Sequence, residues 1–268
     1  MEPGNVDSHI QMPRFLLARF ENEQHKFFYY DVKKRFIGTN GHAKSTNTEY
    51  GYYPNEIEEL LNNELEQPFS RILQFIDSLD LDTQHFTMTN IDENNIKQFL
   101  TSFIVRSPLF IDNLNKNSVF FQLFNIADQH TIAITQGFAE AQKQMIFDDY
   151  RITLTVNKST IPFILPICGL YEYSLNGYTH INLPVSPKIA ITMVESAGIH
   201  SIEKNGLIHL YLINQEKHTK KLNEFAFKHQ CKQQYSHRKM FAVAHDQLNI
   251  WDDFTPSTII SYRMSKIL

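Results

Sequence analysis

The residues best suited to chemistry are three glutamates and one arginine in the first half of the chain. Glu58, Glu59 and Glu66 lie on or beside one predicted helix, and Arg106 lies at the end of another. Paired carboxylates can bind Mg²⁺ or act as general acid and base, and an arginine can bind an anion or a phosphate. A solvated helix face gives the same carboxylate spacing, and Arg106 could instead hold one of these glutamates in the folded protein.

Histidine and cysteine are weaker candidates. The 12 histidines are scattered, without the His-x-x-x-His spacing of a zinc site, so a metal site would have to be assembled across the fold, for example from His9, His180 or His237. Cys168 lies in an apolar run, which predicts a buried, unreactive thiol. No Gly-x-Ser-x-Gly motif, phosphate loop or dinucleotide motif occurs. We predict no metal site and no cofactor, with Mg²⁺ needed only for a nuclease-like reaction.

One segment, residues 217–239, carries an excess of positive charge. Against a single acid, Glu224, it holds seven basic residues: Lys217, Lys220, Lys221, Lys228, Lys232, Arg238 and Lys239. Phe227 and Tyr235 interleave with them, and such a pattern can contact a phosphate backbone. The alternative is a solvated helix face, which is the usual role of a charge run.

The composition is that of a globular protein with a substantial core. Of 268 residues, 42% are hydrophobic and 20% are charged, and the net charge of -4 gives no overall case for binding nucleic acid or a membrane. No run approaches the roughly 18 apolar residues of a membrane span. The N-terminus shows no signal-peptide pattern. We expect a cytoplasmic protein without membrane association.

Helical patterns dominate the middle of the chain. Apolar residues recur at three- and four-residue spacing over 57–76, which predicts an amphipathic helix that buries Leu61, Leu65, Phe69 and Ile72. A second helix is predicted from a cap at Asp92 to the Arg106-Ser-Pro108 boundary. Residues 118–147 predict one interrupted helix or two, and residues 218–233 predict a late helix.

Strand patterns lie at both ends. Residues 26–31 and 35–38 predict a hairpin, followed by a long loop over 39–55, and strands are predicted at 150–156, 207–213 and 240–243. Residues 160–194 predict the centre of a sheet, in which one run ends at Gly169, a turn follows, and a second run begins at Thr179. Pro162 and Pro184 are expected at strand ends or edges. His180 shares one strand face with Tyr178 and Asn182, and that face either lines a pocket or meets water. Ser186, Lys188 and His180 are expected at the pocket rim.

The segregation of helices and strands predicts an α+β fold, with a helical middle segment packed on a mixed or antiparallel sheet and an N-terminal hairpin. We expect one domain over 1–268, with a possible subdivision into a hairpin and helical part, 1–148, and a sheet-rich part, 149–268.

The order of several short motifs resembles the bacterial domain-of-unknown-function family four-two-three-eight (DUF4238). The matching segments, in order, are Pro13-Arg-Phe-Leu-Leu-Ala-Arg-Phe20, Tyr30-Asp31, the helix glutamates, Arg106-Ser-Pro108, Pro162-Phe-Ile, Pro184-Val-Ser-Pro187 and Leu222-Asn223. The resemblance covers roughly residues 9–243 and implies a fold and positions but no reaction.

Two departures from the family pattern bear on function. The family histidine lies three residues before the proline, where this chain has Ile10, with His9 displaced by one position. The family's polar Thr-Ser-Asp-Asn segment is replaced by Leu165-Pro-Ile-Cys168, which implies a degenerate site.

Two functions remain open on the sequence. The first is a binding or interaction module for a protein partner. The second is a nucleic-acid-directed toxin or phage-defence component with nuclease-like activity, in which Glu59, Glu66, Arg106 and His9 would form the site. Its contact surface would be the basic segment. Proximity of those four residues in the fold would favour the second.

Overall fold

The computed structural model describes residues 7–31, 36–46, 48–82, 85–117, 122–143, 147–198, 207–232 and 240–243. The helices are α1 (Arg14–Ala18), α2 (Asn55–Leu60), α3 (Gln67–Asp77), α4 (Asn90–Val105), α5 (Pro108–Asn117), α6 (Ile126–Lys143) and α7 (Glu216–Lys232), with a π-helical turn at Leu61–Glu66. The strands are β1 (Asp7–His9), β2 (Phe27–Asp31), β3 (Phe36–Gly41), β4 (Thr48–Tyr50), β5 (His85–Thr87), β6 (Tyr150–Asn157), β7 (Ile164–Pro166), β8 (Tyr171–Leu175), β9 (Tyr178–Pro184), β10 (Ile189–Glu195), β11 (Leu207–Ile213) and β12 (Met240–Val243).

The strands form a six-stranded sheet in the order β5-β11-β6-β10-β9-β8, a four-stranded sheet in the order β3-β2-β12-β7, and the pair β1-β4. Pairing is antiparallel except between β11 and β6, so the larger sheet is mixed. The predicted α+β class is confirmed, and β2 and β3 form the predicted hairpin. The hairpin turn lies outside the described residues.

The main core joins the helical layer to one face of the six-stranded sheet. It combines Phe69 and Phe99, which stack at 3.8 Å between ring centroids, with the strand residues Leu154, Ile191 and Met193. These residues come from both the helical part and the sheet-rich part of the chain. A second, smaller cluster packs Ala226 and Phe227 of α7 against β2 and β7.

The segments α2, the π turn and α3 follow one another without a break and match the helix predicted over 57–76. Ile57, Leu61, Leu65 and Phe69 are all buried, at spacings of four residues. Pro68 lies at the start of α3 and has no N–H to donate to the preceding turn, which is where the π turn occurs. A π turn bonds residue i to i+5 and so accommodates one more residue than an α-helical turn.

Three predictions about these elements were wrong. Residues 160–194 do not form the centre of one sheet, because β7 belongs to the four-stranded sheet and β9 and β10 to the six-stranded one. The segment assigned to a turn after Gly169 contains strand β8. Asp92 is not the N-cap of α4: Thr89 is, and the Asp92 side chain accepts a hydrogen bond from the Thr89 N–H in a capping box.

The predicted positions of the two prolines were correct. Pro184 is the last residue of β9, and Pro162 precedes β7, so neither interrupts the ladder of a central strand.

The segment 39–55, which was predicted to be a loop throughout, contains the end of β3 and all of β4. Among the described residues, no helix is both long enough and apolar enough to cross a membrane.

Candidate functional site

The two faces of the six-stranded sheet differ in chemistry because side chains alternate along each strand. On β6, Ile152 and Leu154 point into the main core, whereas Thr153 and Thr155 point to the opposite face. The same alternation on the neighbouring strands places polar and aromatic residues on that opposite face. Helix α7 packs beside it, against β8 and β11.

A cleft of about 800 Å³ lies between this face and α7. Its volume is within the range of roughly 300–1,000 Å³ that is typical of small-molecule sites. Thr153, Thr155 and Thr192 contribute to its sheet side, and α7 contributes Lys221 and Phe225. No carboxylate belongs to the described lining.

One wall of the cleft is a ladder of stacked rings. Tyr173 stacks on Phe225 at 5.2 Å and on His180 at 5.0 Å between centroids, with interplanar angles of 8° and 17°. Lys221 completes the ladder, with Nζ 5.1 Å from the centroid of Phe225. The ladder joins two strands to α7.

Hydrogen bonds connect the hydroxyl groups on the sheet side. Thr153 donates to the carbonyl oxygen of Thr192 at 3.1 Å, and Thr155 and Thr192 are joined through their hydroxyls at 2.9 Å. Thr192 donates in turn to the side-chain oxygen of Asn182 at 2.5 Å, and the Asn182 amide donates to the Tyr171 hydroxyl. This network fixes the rotamers under the cleft.

Burial changes the titration of two lining groups. It raises the pKa of Tyr173 to about 12, and the nearby Tyr211 adds to this effect. It lowers the pKa of His180, so this ring is neutral at neutral pH. Lys221 therefore supplies the fixed positive charge of the lining, although Glu224 pairs with it at 3.0 Å from the same helix.

The residues expected at a pocket rim lie in different places. His180 and Tyr178 line the cleft, so the strand face they share does border a pocket. Ser186 and Lys188 lie in the turn between β9 and β10 and are not part of the lining. Ser186 Oγ accepts hydrogen bonds from the N–H groups of Lys188 and Ile189 at 3.3 and 3.0 Å, which is a turn-stabilising role.

The basic segment is only partly described. Lys217, Lys220 and Lys221 are exposed on α7, and Lys221 alone of these reaches the cleft. Lys228 and Lys232 lie on the last turns of α7, but their side chains are outside the described residues. Arg238 and Lys239 are also outside them.

Glu66, Arg106 and the His9 backbone form a second, buried cluster. Arg106 Nη1 donates to Glu66 Oε1 at 2.9 Å, and Nη2 donates to the His9 carbonyl oxygen at 3.0 Å. The guanidinium also lies 5.7 Å from the ring centroid of Tyr53. Burial raises the pKa of Glu66, and the charge of Arg106 opposes that shift. The sequence allowed two interpretations of Arg106, binding an anion or holding a helix glutamate, and the contact with Glu66 matches the second.

Glu58, not Glu59, accompanies Glu66 in this cluster. Glu59 is exposed, whereas one carboxylate oxygen of Glu58 is buried, and its charge also raises the pKa of Glu66. A seven-residue spacing would put Glu59 and Glu66 on one face of a regular α-helix. The additional residue in the π turn between them shifts that face to Glu58. His9 contributes its backbone carbonyl to the cluster.

The sequence model of a family described as "Protein of unknown function (DUF4238)" matches residues 11–240. The chain belongs to this family. No curated protein and no solved structure matches it. Within the DUF4238 fold, the described residues contain no group of three or more His, Cys, Asp or Glu side chains placed to hold a metal ion.

The segment in which this DUF4238 member departs from the family pattern is part of the core. Leu165 is fully buried, and Cys168 is 3% exposed, with a pKa that burial raises well above the usual thiol range. Gln11 joins this segment to α4, because its amide donates to the carbonyl oxygens of Phe103 and Cys168 at 2.9 and 3.4 Å. Gly169, at φ +76°, lies under Phe103, where a Cβ would be 2.5 Å from the ring.

Residues of β8 were missed by the sequence reasoning, although a signal for them exists. Tyr173 and Leu175 line the cleft, and the hairpin from β8 to β9 turns at Asn176-Gly177, both with positive φ. An Asn-Gly pair between runs rich in aromatic and β-branched residues is a strong indication of a type I′ hairpin. Tyr211 and Phe225 had no comparable signal, because only the fold places them against β8.

Proposed function

We propose that this DUF4238 protein is a binding module whose ligand occupies the cleft between the six-stranded sheet and α7. The cleft itself carries the proposal. It combines an aromatic wall, exposed apolar side chains at Leu175 and Tyr211, and a lysine in a described lining without carboxylates. Concave sites of this kind favour a ligand with an apolar body and an acidic group.

The state of the cleft hydroxyls favours binding over nucleophilic catalysis. A serine or threonine nucleophile needs a base that accepts its proton. The protons of Thr153 and Thr192 go to a carbonyl and an amide oxygen, neither of which is a base. The hydroxyls therefore serve as fixed polar contacts.

The burial of residues 165–168 supports a degenerate site, in line with the family departure. This apolar strand end leaves no polar group in that segment to act on a ligand, apart from backbone groups and the buried Cys168 thiol. Binding at the cleft does not depend on this segment.

The proposal is tested with anilinonaphthalene sulfonate, a fluorescent anion with an apolar aromatic body. We expect the folded protein to bind this dye at one site. Tyr211→Ala removes a lining ring that is 47% exposed, and it should weaken dye binding.

Leu212→Ala is the matched control, because Leu212 is 41% exposed on the same strand but is not part of the lining. Equal losses in both variants, or dye binding at many weak sites, would contradict a cleft-based function.

A second candidate, nucleic-acid binding, is favoured by the exposed lysines of α7. Lys217 and Lys220 extend the positive charge of Lys221 beyond the cleft. A strand bound there would lose affinity steeply with salt, because neutralised phosphates release counterions. Replacement of Lys220, Lys221, Lys228 and Lys232 by Gln should weaken binding and flatten the salt dependence. The absence of binding at low salt would remove this candidate.

The nuclease-like form of that candidate needs more than these lysines. Glu66 and Arg106 belong to the helical layer, which packs on the other face of the six-stranded sheet from α7. Because Arg106 already holds Glu66, a Mg²⁺ ion would have to compete with that ion pair.

A further inference from the structure

The threonine hydroxyls on the sheet side of the cleft are arranged to accept hydrogen bonds from a ligand. Thr192 gives its only hydroxyl proton to Asn182, so the bond between Thr155 and Thr192 must be donated by Thr155. Thr153 gives its proton to the Thr192 carbonyl oxygen. Thr153 is fully buried, so Thr155, which is 6% exposed, is the hydroxyl that offers its lone pairs to a ligand. The complementary group on the ligand is an N–H or O–H donor.

The helix side of the cleft favours negative charge. Lys221 lies there, and Glu224, which pairs with it, is outside the lining. The complementary group on the ligand is therefore an anion.

The exposed apolar side chains of the cleft suit a flat ring. Tyr211 and Leu175 are 47% and 52% exposed, which is unusual for large apolar side chains that line a concave site. Tyr178 adds a third apolar surface to the same lining. A planar heteroaromatic ring would cover these surfaces. It could carry both the donor group for the sheet side of the cleft and the anionic group for the helix side.

We infer, on the basis of the proposed binding function, that the cleft recognises a nucleotide whose base carries an exocyclic amino group. The amino group donates to Thr155, the base covers Tyr211, and the phosphate approaches Lys221. A free nucleotide and one unit of a single strand present this same chemistry.

The test is displacement of anilinonaphthalene sulfonate by adenosine monophosphate and by inosine monophosphate. These two differ on one edge of the base: inosine has a carbonyl oxygen in place of the amino group, and its N1 carries a proton where N1 of adenine has a lone pair. That oxygen would face the lone pairs of Thr155, so we expect inosine monophosphate to bind about tenfold more weakly or worse. A single-stranded oligoadenylate that displaces the dye more strongly than the monomer would identify a strand as the source.

Thr155→Val removes the acceptor and keeps the shape of the side chain. It should reduce the affinity for adenosine monophosphate to that for inosine monophosphate, and an unchanged circular dichroism spectrum would report that the variant is folded. Equal affinity of the wild-type protein for the two nucleotides would overturn the inference, as would displacement by neither nucleotide nor the oligoadenylate. In both cases, dye binding that is weakened by Tyr211→Ala would still support the proposed function. Dye binding that Tyr211→Ala does not change would contradict the proposed function as well.

Discussion

Removal of the Arg106 side chain should be among the most damaging single changes in this protein. The Arg106 side chain is 3% exposed and makes charged hydrogen bonds to Glu66 at 2.9 Å and to the His9 carbonyl at 3.0 Å. It thereby ties the N-terminal segment, the π turn and the end of α4 together. Arg106→Met keeps most of the apolar stem and deletes both bonds.

The expected magnitude follows from burial. Loss of one partner of a buried ion pair costs about 3–5 kcal/mol. Because the Glu66 side chain is 21% exposed, water can partly solvate the carboxylate that is left behind, which favours the lower end, about 3 kcal/mol. Glu66→Gln should cost about 2 kcal/mol, since the amide oxygen can still accept from Arg106 but no longer balances its charge.

The double variant isolates the ion pair itself. Arg106→Met with Glu66→Gln should lose about 2 kcal/mol less than the sum of the single changes, because neither charge remains to be desolvated alone. Urea unfolding followed by circular dichroism measures these free energies, provided that the slope with denaturant is unchanged.

Glu59→Gln is the matched control on the same helix. Glu59 is exposed, so its replacement should change the free energy of unfolding by no more than about 0.5 kcal/mol. A coupling energy near zero between positions 106 and 66, or a loss at Glu59 equal to that at Glu66, would refute this account of the cluster.

Three further outcomes are expected. Leu65→Ala should lower the free energy of unfolding by about 2–5 kcal/mol because Leu65 is buried in the core, whereas the same change at Leu60, which is 38% exposed, should have little effect in the same urea titration. In a Cys231→Ser background, Cys168 should react with a thiol reagent only after unfolding, and rapid labelling of the native protein would revive it as a nucleophile. Burial lowers the pKa of His130, so near about pH 6.5 the unfolded chain takes up a proton that the folded protein does not. The free energy of unfolding should therefore fall below that pH by up to about 1.4 kcal/mol per pH unit. A His130→Gln variant whose free energy of unfolding keeps the full dependence on pH would contradict this.

Much of the architecture could be predicted because local patterns report burial directly. The alternation of Ile152, Thr153, Leu154 and Thr155 specifies a strand with one apolar and one polar face, whatever its neighbours are. The apolar spacing after Ile57 likewise specifies a helix and the face that it buries. Both patterns persist in the structure because the core removes those side chains from water.

The partner of each strand is not a local property. Nothing near Ile164–Pro166 indicates pairing with β12, which lies more than seventy residues later and joins β7 to the hairpin sheet. For this reason the stretch 160–194 was predicted as one sheet and divides between two. The identity of the second cluster glutamate was equally hidden, because the π turn changes the helical register by a residue and replaces Glu59 with Glu58.

The fold class, the main helix and the faces of the strands therefore follow from local patterns, since each depends on burial that a segment expresses in its own spacing. The cleft depends instead on how distant elements pack. Tyr173, Tyr211 and Phe225 come from β8, β11 and α7, and their side chains line one cleft because those three elements pack together. Contacts between elements that are distant along the chain depend on the geometry of the whole core, and no local pattern encodes that geometry.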